Sequence, residues 1–193
     1  MRALVLIALI AVGGAGPDRP VVPPRRDAAV TFRVTGAAAA LIPQLDGGAA
    51  PGQMVMRWNT AGRLRLEAEG RPQVLLLDTG TLSAHIVDST LRSAIALPIK
   101  QRDMDAILLT QATMTRLRED KVAGLACTVW QVHGRQGEGT ICLTADGVPL
   151  RAEGTVDGKQ GSMVATSVQL EPQPLGKFAV PAGYMSFSMP KFK

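Results

Sequence analysis

The tripeptide Asp78-Thr-Gly80 is the segment of this sequence that most closely matches a catalytic motif. It follows the apolar run 74–77, as the Asp-Thr-Gly of aspartic proteases follows a buried strand. In those enzymes two carboxylates share a proton to activate water, so a single copy would require a homodimer. The same residues are typical of a hairpin turn, where aspartate accepts backbone hydrogen bonds and glycine adopts a positive φ. Because Thr81-Leu-Ser83 departs from the protease pattern, the sequence favours the turn, with the protease as the alternative.

The two histidines of the chain, His85 and His133, do not belong to a recognisable ligand cluster in the sequence. No Gly-x-Ser-x-Gly elbow is present, and no glycine-rich loop has the spacing of a phosphate-binding site. The sequence therefore predicts no catalytic residue, no metal site and no cofactor.

Cys127 and Cys142 are the only cysteines, and each lies in a short apolar run beside the polar, glycine-rich stretch 133–139. This arrangement predicts a β-hairpin. Residues opposite each other in a hairpin have Cα atoms about 4.5–5.5 Å apart, within the roughly 4.4–6.8 Å range of a disulfide. We therefore expect a structural disulfide, which indicates an oxidising compartment.

The first residues have the pattern of an export signal. Met1-Arg2 is followed by an unbroken apolar run to Val12 and by the small residues Gly13-Gly-Ala15. The run is too short to span a membrane, so we expect a signal peptide over residues 1–15, cleaved near Ala15. Four prolines between residues 16 and 28 predict a mobile linker, and residues 29–193 are expected to form a single domain.

The formal net charge is +5, but the basic residues are spread along the chain. The sequence contains neither a basic run nor a basic strand with aromatic residues, so nucleic acid is not an expected partner. A mild positive balance suits an anionic partner such as a lipid headgroup, although most such surpluses are only solvated surface.

The middle of the chain reads as a series of strands separated by short turns. Alternation or continuous apolar character predicts strands at 29–35, 53–59, 63–69, 73–77 and 82–87, which implies an antiparallel meander. Helical spacing of apolar residues predicts a helix over 103–115. Further strands are predicted near 115–118, 148–153 and 161–170. The predicted fold class is α+β, mostly antiparallel β, as an incomplete barrel with a helical lid.

The predicted strands and helix share one aliphatic, methionine-rich face. Its residues are Met54, Met56, Leu64, Leu66, Leu75, Leu77, Ile86, Ile107 and Leu108. Such a face can pack entirely against the helix, or sheet and helix can stand apart and enclose a lipid-sized cavity. Periodicity alone leaves both interpretations open.

Several segments together are similar to a known superfamily. These are the Val122-Ala-Gly-Leu-Ala-Cys127 segment, the Cys142-to-Arg151 segment containing Asp-Gly-Val-Pro-Leu, and Val180-Pro-Ala-Gly-Tyr184. The chain resembles, from about Ala29 to Met185, an uncharacterised bacterial branch of the LolA-like superfamily of periplasmic lipoprotein carriers.

The resemblance implies a half-barrel that holds acyl chains on its concave face, in the periplasm and without catalysis. The expected function is binding or carriage of a lipid or other apolar ligand in the sheet–helix cavity. The expected partners are a lipid or lipid-modified ligand and a membrane or envelope protein. A structural envelope-complex subunit without a ligand is a further alternative.

Overall fold

The computed structural model describes residues 19–36, 52–134, 137–156 and 158–188. The predicted signal peptide, residues 1–15, lies outside the described residues. Within them the chain forms a single twelve-stranded sheet and one α-helix. The strands are β1 (Ala28–Gly36), β2 (Gly52–Asn59), β3 (Arg63–Ala68), β4 (Gln73–Asp78), β5 (Ser83–Asp88), β6 (Ser93–Leu97), β7 (Thr113–Val122), β8 (Leu125–Gly134), β9 (Gly137–Leu143), β10 (Pro149–Val156), β11 (Lys159–Gln169) and β12 (Met185–Ser188). The helix α1 spans Gln101–Leu108, and a short 3-10 helix spans Leu175–Phe178.

The sheet is built from two meanders that meet at β1. Its strand order is β12-β6-β5-β4-β3-β2-β1-β11-β10-β9-β8-β7, so β1 lies between β2 and β11. Neighbouring strands are antiparallel except for β12, which pairs with β6 in parallel. Short connections join consecutive antiparallel strands from β2 to β6 and from β7 to β11. The sheet does not close on itself, which confirms the predicted half-barrel.

The predicted strands are present with small changes in their bounds, whereas the helix is shorter than predicted. It ends at Leu108 because Leu109 adopts a left-handed conformation, with φ 58°. The segment from Thr113 onward, which the helical prediction included as far as residue 115, belongs to β7. β-Branched threonines at 110, 113 and 115 favour an extended backbone, and they explain why apolar spacing alone overextended the helix.

The main core lies on the inner face of the sheet, where α1 packs. Phe32 is fully buried, and Met54 and Met104 are almost fully buried within one apolar cluster. That cluster extends from β1 and β2 through β3–β5 and across to the disulfide hairpin. Met104, on α1, therefore connects the helix to the sheet.

A smaller apolar cluster lies on the outer face of the sheet. Leu76, Val87 and Ala94 project from β4, β5 and β6, and Val180 and Tyr184 pack on them. We call residues 170–184, which run from β11 to β12 across this face, the C-terminal strap. The strap explains why β4 is almost wholly apolar, because β4 is covered on both faces, as its sequence predicts.

The disulfide predicted from the hairpin is present. Cys127 on β8 and Cys142 on β9 are bonded, with Cα atoms 5.5 Å apart, and both side chains are buried in the main cluster. The bridge therefore joins adjacent strands and forms part of the core.

A row of glycines crosses four adjacent strands near one end of the sheet. Gly36, Gly161, Gly154 and Gly139 lie opposite one another in successive strand pairs. A Cβ added to Gly139 would lie 2.2 Å from the carbonyl oxygen of Glu153, so the backbones approach too closely for a side chain. Glycines with this close backbone approach are typical of a sharp bend in a curved sheet.

None of the helices in the described ranges is long and apolar enough to cross a membrane.

Candidate binding site

Four of the nine residues predicted to line a cavity are buried in the main core. Met54 is 2% exposed, Met56 9%, Leu64 6% and Leu77 3%. All four belong to the cluster that Met104 contacts through α1. These side chains form the floor of the inner face, directly against other protein atoms.

Three more of the predicted residues are only partly buried and lie at the margin of that cluster. They are Leu66, Leu75 and Leu108, which pack against the core while keeping part of their surface in solvent. Further side chains packed in this way include Ala68, Leu97, Ile99 and Leu125. We call Leu66, Ala68, Leu75, Leu97, Ile99 and Leu108 the apolar rim. The rim brings together residues of β3, β4, β6 and the helix region that the sequence had only suggested to be near one another.

The last two predicted residues differ from each other. Ile86 is half-buried and lies opposite Leu75 in the β4–β5 pair, so it shares the inner face with the rim. Ile107 is 46% exposed, at the margin of the face by which α1 buries Met104. It is more exposed than Leu108, and it is not among the residues that pack against the main cluster.

The helix is smaller than the apolar surface on which it packs. Eight residues of α-helix extend about 12 Å. Strands β2–β6, at about 4.8 Å between neighbours, are about 19 Å wide. In the described part of the chain α1 is the only α-helix on this face. The difference in size explains why the rim residues keep part of their surface in solvent.

Two open clefts occur elsewhere on the described surface, and charged side chains take part in the lining of both. One, of about 400 Å³, lies between residues 25–27 and residues 170–172, with Thr60 beside them. The other, of about 760 Å³, lies along the glycine row and includes Glu138 and Glu153. Neither of these two clefts lies between α1 and the sheet.

Asp78 has the contacts of a turn residue. Its Oδ1 accepts hydrogen bonds from the backbone N–H groups of Gly80, at 2.9 Å, and Thr81, at 3.0 Å. Its Oδ2 lies 3.2 Å from Nε of Arg63 on the neighbouring strand. Both carboxylate oxygens are thus engaged, as the turn interpretation predicts. Asp88 repeats the arrangement in the next turn, accepting from the N–H groups of Thr90 and Leu91.

The two histidines have different surroundings. His133 is exposed, and its Nδ1 lies 3.4 Å from Oε2 of Glu138. His85 lies on the outer face of β5, opposite Leu76 and Ala96. Among the described residues, no group of three or more His, Cys, Asp or Glu side chains could hold a metal ion.

A charged cluster on the outer face anchors the C-terminal strap. Glu67 accepts from Arg65 at 2.7 Å and from Arg57 at 3.1 Å. Burial would raise the pKa of Glu67, but the hydrogen bonds and charges of Arg65 and Arg57 outweigh it and lower this pKa below its ordinary value. Arg57 also donates to Oε1 of Gln173, and Arg65 to the carbonyl oxygen of Lys177. The cluster is saturated by these contacts and has a structural role.

A second polar cluster joins three distant segments. Asp27, just before β1, accepts from the N–H of Thr60 at 2.7 Å and from the N–H of Gln173 at 2.8 Å. Asn59 also donates to Asp27, and to the carbonyl oxygen of Gln173 at 2.7 Å. One more hydrogen bond holds the same part of the predicted linker: Trp58 Nε1 donates to the carbonyl oxygen of Pro24. Sequence reasoning missed this cluster, because its bonded segments are 32 to 146 positions apart and no local pattern connects them.

No protein-family model matches the sequence, and a comparison with curated proteins gave no match. Solved structures do share the fold. MucB is similar to this chain at a TM-score of 0.53 and 15% identity, over 85% of this chain and 60% of MucB. PNGF-II is similar at a TM-score of 0.50 and 10% identity, over 86% of this chain and 31% of PNGF-II.

The fold is LolA-like. This agrees with the resemblance that the sequence segments suggest. At 15% identity the likeness to MucB establishes the fold alone, and the chain spans less than two thirds of the length of MucB or PNGF-II.

Proposed function

We propose that this protein is a non-catalytic binding protein that holds an acyl chain or similar apolar ligand along the apolar rim, between α1 and strands β3–β6. The observation that carries the proposal is the partial exposure of the rim, whose aliphatic side chains contact the core but keep part of their surface in solvent. A flexible hydrocarbon chain would cover this surface and gain about 25 cal/mol for each Å² of apolar area removed from water. The ligand would lie over the buried methionines, which adapt to irregular shapes.

The compartment proposed is the periplasm, reached through the predicted signal peptide. The disulfide supports an extracytoplasmic location, because disulfides persist in oxidising compartments. An envelope or membrane protein is the proposed macromolecular partner. MucB has been solved in complex with MucA, and a comparable protein partner is proposed for this chain on the likeness of fold.

Two neighbouring residues of α1 provide a matched test of the rim. Leu108 packs against the core at the rim, whereas Ile107 is 46% exposed and does not pack against the main cluster. A dansyl-labelled fatty acid is titrated into the purified protein and its fluorescence recorded. We expect Leu108→Gln to weaken binding about tenfold, the loss that follows from removing one well-buried aliphatic contact. Ile107→Gln should bind as the wild type does.

Equal binding by the two variants would contradict the proposal, as would an absence of binding by the wild type. The second result would favour the structural-subunit alternative, in which Met54, Met56 and Met104 already fill the space beneath the helix. Circular dichroism of both variants at the titration temperature controls for loss of fold.

The aspartic protease alternative is tested separately at Asp78. Asparagine retains an oxygen that can accept the two turn hydrogen bonds but cannot act as an acid or base. Any peptidase activity of the purified protein should therefore be unchanged in Asp78→Asn. Activity that disappears in this variant would restore the enzyme hypothesis.

A further inference from the structure

The two free edges of the open sheet differ in their protection. At one edge β7 carries five charged residues among its ten, at 116, 118, 119, 120 and 121, and a β-bulge at Leu117. Ion pairs join Arg116 to Glu119 and Arg118 to Asp120. Charges and bulges of this kind prevent another strand from pairing with an edge. The β7 edge is thus closed to strand addition.

At the other edge β12 has none of these protections within the described residues. Its four residues, Met-Ser-Phe-Ser, carry no charge and pair in unbroken register with β6. All four are exposed, with Met185 at 60% and Phe187 at 52%. The C-terminal strap packs on the outer face of the sheet through Val180 and Tyr184, and this packing holds β12 in place. The strap therefore fixes an apolar, uncharged strand at the open end of the sheet.

The register shows which backbone groups of β12 face outward. The N–H of Met185 donates to the carbonyl oxygen of Arg92 at 2.9 Å, and Met185 lies opposite Ser93. Backbone groups alternate in direction along a strand, so Met185 and Phe187 bond towards β6. The N–H and C=O groups of Ser186 and Ser188 therefore point to the free edge, where an added strand would meet them.

Charge at this edge is positive. Arg92 is exposed, and its guanidinium lies beside Gly183 at the start of β12. Within the described ranges Arg92 has no carboxylate partner. Leu91, next to it, is 64% exposed and extends the apolar surface. A complementary segment would therefore combine apolar side chains at alternate positions with acidic ones.

Two other occupants fit these observations less well. A lipid bilayer could accept the exposed apolar side chains, but its hydrocarbon cannot satisfy the outward N–H and C=O groups of Ser186 and Ser188. A second copy of the chain, paired through β12, would offer Arg92 no acidic side chain from its own β12. Strands of four residues also bury far less than the roughly 1,200–2,000 Å² of a stable protein interface.

We infer that the β12 edge is a docking site for an extended acidic segment of a partner protein, which adds to the sheet as a thirteenth strand. The inference is independent of the ligand proposed for the apolar rim, which lies on the inner face. Pairing through a few backbone hydrogen bonds makes the interaction weak and reversible.

The test uses the intact chain and three fluorescent nine-residue peptides that alternate valine with aspartate, threonine or lysine. Binding is followed by fluorescence anisotropy. The aspartate peptide should bind most tightly and the lysine peptide least, and Arg92→Glu should reverse that order. Ser186→Pro removes an outward N–H without removing a bond to β6. It should weaken binding of the aspartate peptide about tenfold, while the control Ser186→Ala, which keeps the N–H, should bind within about twofold of the wild type.

Peptide binding that is unchanged in Ser186→Pro would overturn the inference, as would affinities that do not depend on peptide charge. Sedimentation that reveals a dimer abolished by Ser186→Pro would instead identify a second copy as the occupant. Capture by anionic vesicles that is lost in Phe187→Ser but kept in the control Leu117→Ser, on the opposite edge, would identify a membrane. Thermal unfolding of Ser186→Pro should match that of Ser186→Ala, which shows that the edge variant retains the fold.

Discussion

Asp27 holds three segments together, and replacing it should cost the protein a measurable part of its stability. Its carboxylate accepts from the N–H groups of Thr60 and Gln173 and from the side-chain amide of Asn59. Asp27→Ala removes all three acceptors at once. The Thr60 N–H is exposed and regains water, whereas Gln173 is 3% exposed and Asn59 8%.

The expected loss follows from the buried donors. A buried donor left without a partner costs about 1–3 kcal/mol. Gln173 N–H loses its acceptor completely, while Asn59 keeps a hydrogen bond to the carbonyl oxygen of Gln173. We therefore expect Asp27→Ala to lower the free energy of unfolding by about 2 kcal/mol at pH 7.

The effect should depend on pH in a defined direction. Burial would raise the pKa of Asp27, but hydrogen bonds from Gln173, Thr60 and Asn59 outweigh it and lower this pKa below its ordinary value. A carboxyl whose pKa is lower in the folded than in the unfolded state stabilises the fold above its unfolded pKa, about 3.9. That contribution is lost as pH falls through the folded-state pKa. The difference between wild type and Asp27→Ala should therefore shrink as the pH falls below the ordinary pKa of an aspartate.

Urea unfolding at a series of pH values, followed by circular dichroism, measures this difference. The control is Asp146→Ala, which removes an exposed carboxylate 3.7 Å from Arg26 in the same region. An exposed ion pair of this kind contributes about 0–1 kcal/mol, so the control should unfold nearly as the wild type does. A wild-type stability for Asp27→Ala at pH 7, or a difference that grows as the pH falls, would refute the reasoning.

Three further substitutions test the core and the curvature of the sheet. Serine at both Cys127 and Cys142 opens a fifteen-residue loop and should lower the free energy of unfolding by about 3 kcal/mol in urea titrations. An unchanged free energy of unfolding would contradict the presence of the bridge. Met104→Ala removes a side chain that is 1% exposed, and calorimetry should record a loss of about 2–4 kcal/mol, with a loss under 1 kcal/mol arguing against close helix packing. Gly139→Ala introduces a Cβ 2.2 Å from a neighbouring carbonyl oxygen and should destabilise the protein by about 1–3 kcal/mol. In the control Gly176→Ala the added Cβ has no neighbour within 4 Å, so thermal unfolding should be unchanged. Equal melting temperatures of the two variants would contradict the close approach at Gly139.

The local elements were the predictable part of this fold. Strict alternation in β3 and turn residues on both sides of β4 fixed their bounds to within a residue or two. The cysteine-bearing hairpin was predictable for the same reason, since its pairing depends on residues close in sequence. Strands β3–β6 begin at residues 63, 73, 83 and 93, a ten-residue spacing that repeats the same hairpin geometry.

The elements missed depend on contacts between distant parts of the chain. The segment Met185–Ser188 has no strand pattern strong enough to identify it, and it is a strand because the strap carries it to β6. The glycine row is invisible in the sequence, because its members become neighbours only when four strands pair in one register. The pairing of Asp27 with Gln173 has the same origin.

The sequence predicted which side chains share the apolar face of the sheet, but it did not predict how much of that face is covered. Alternation placed Leu64 and Leu66 on one side of β3, and the structure agrees, with Leu77 and Leu75 of β4 paired opposite them. The exposure of Ile107 and the early end of α1 were not revealed by apolar spacing. Whether an apolar face is covered depends on the size of the helix relative to the sheet, which is a property of the assembled fold.

Native mass spectrometry of the protein, expressed with its signal segment and purified without detergent, tests the central proposal most directly. The account predicts a bound lipid species that is retained in Ile107→Gln and reduced or lost in Leu108→Gln. A wild-type protein that carries no lipid, and that takes up none when incubated with an extract of envelope lipids, would contradict it.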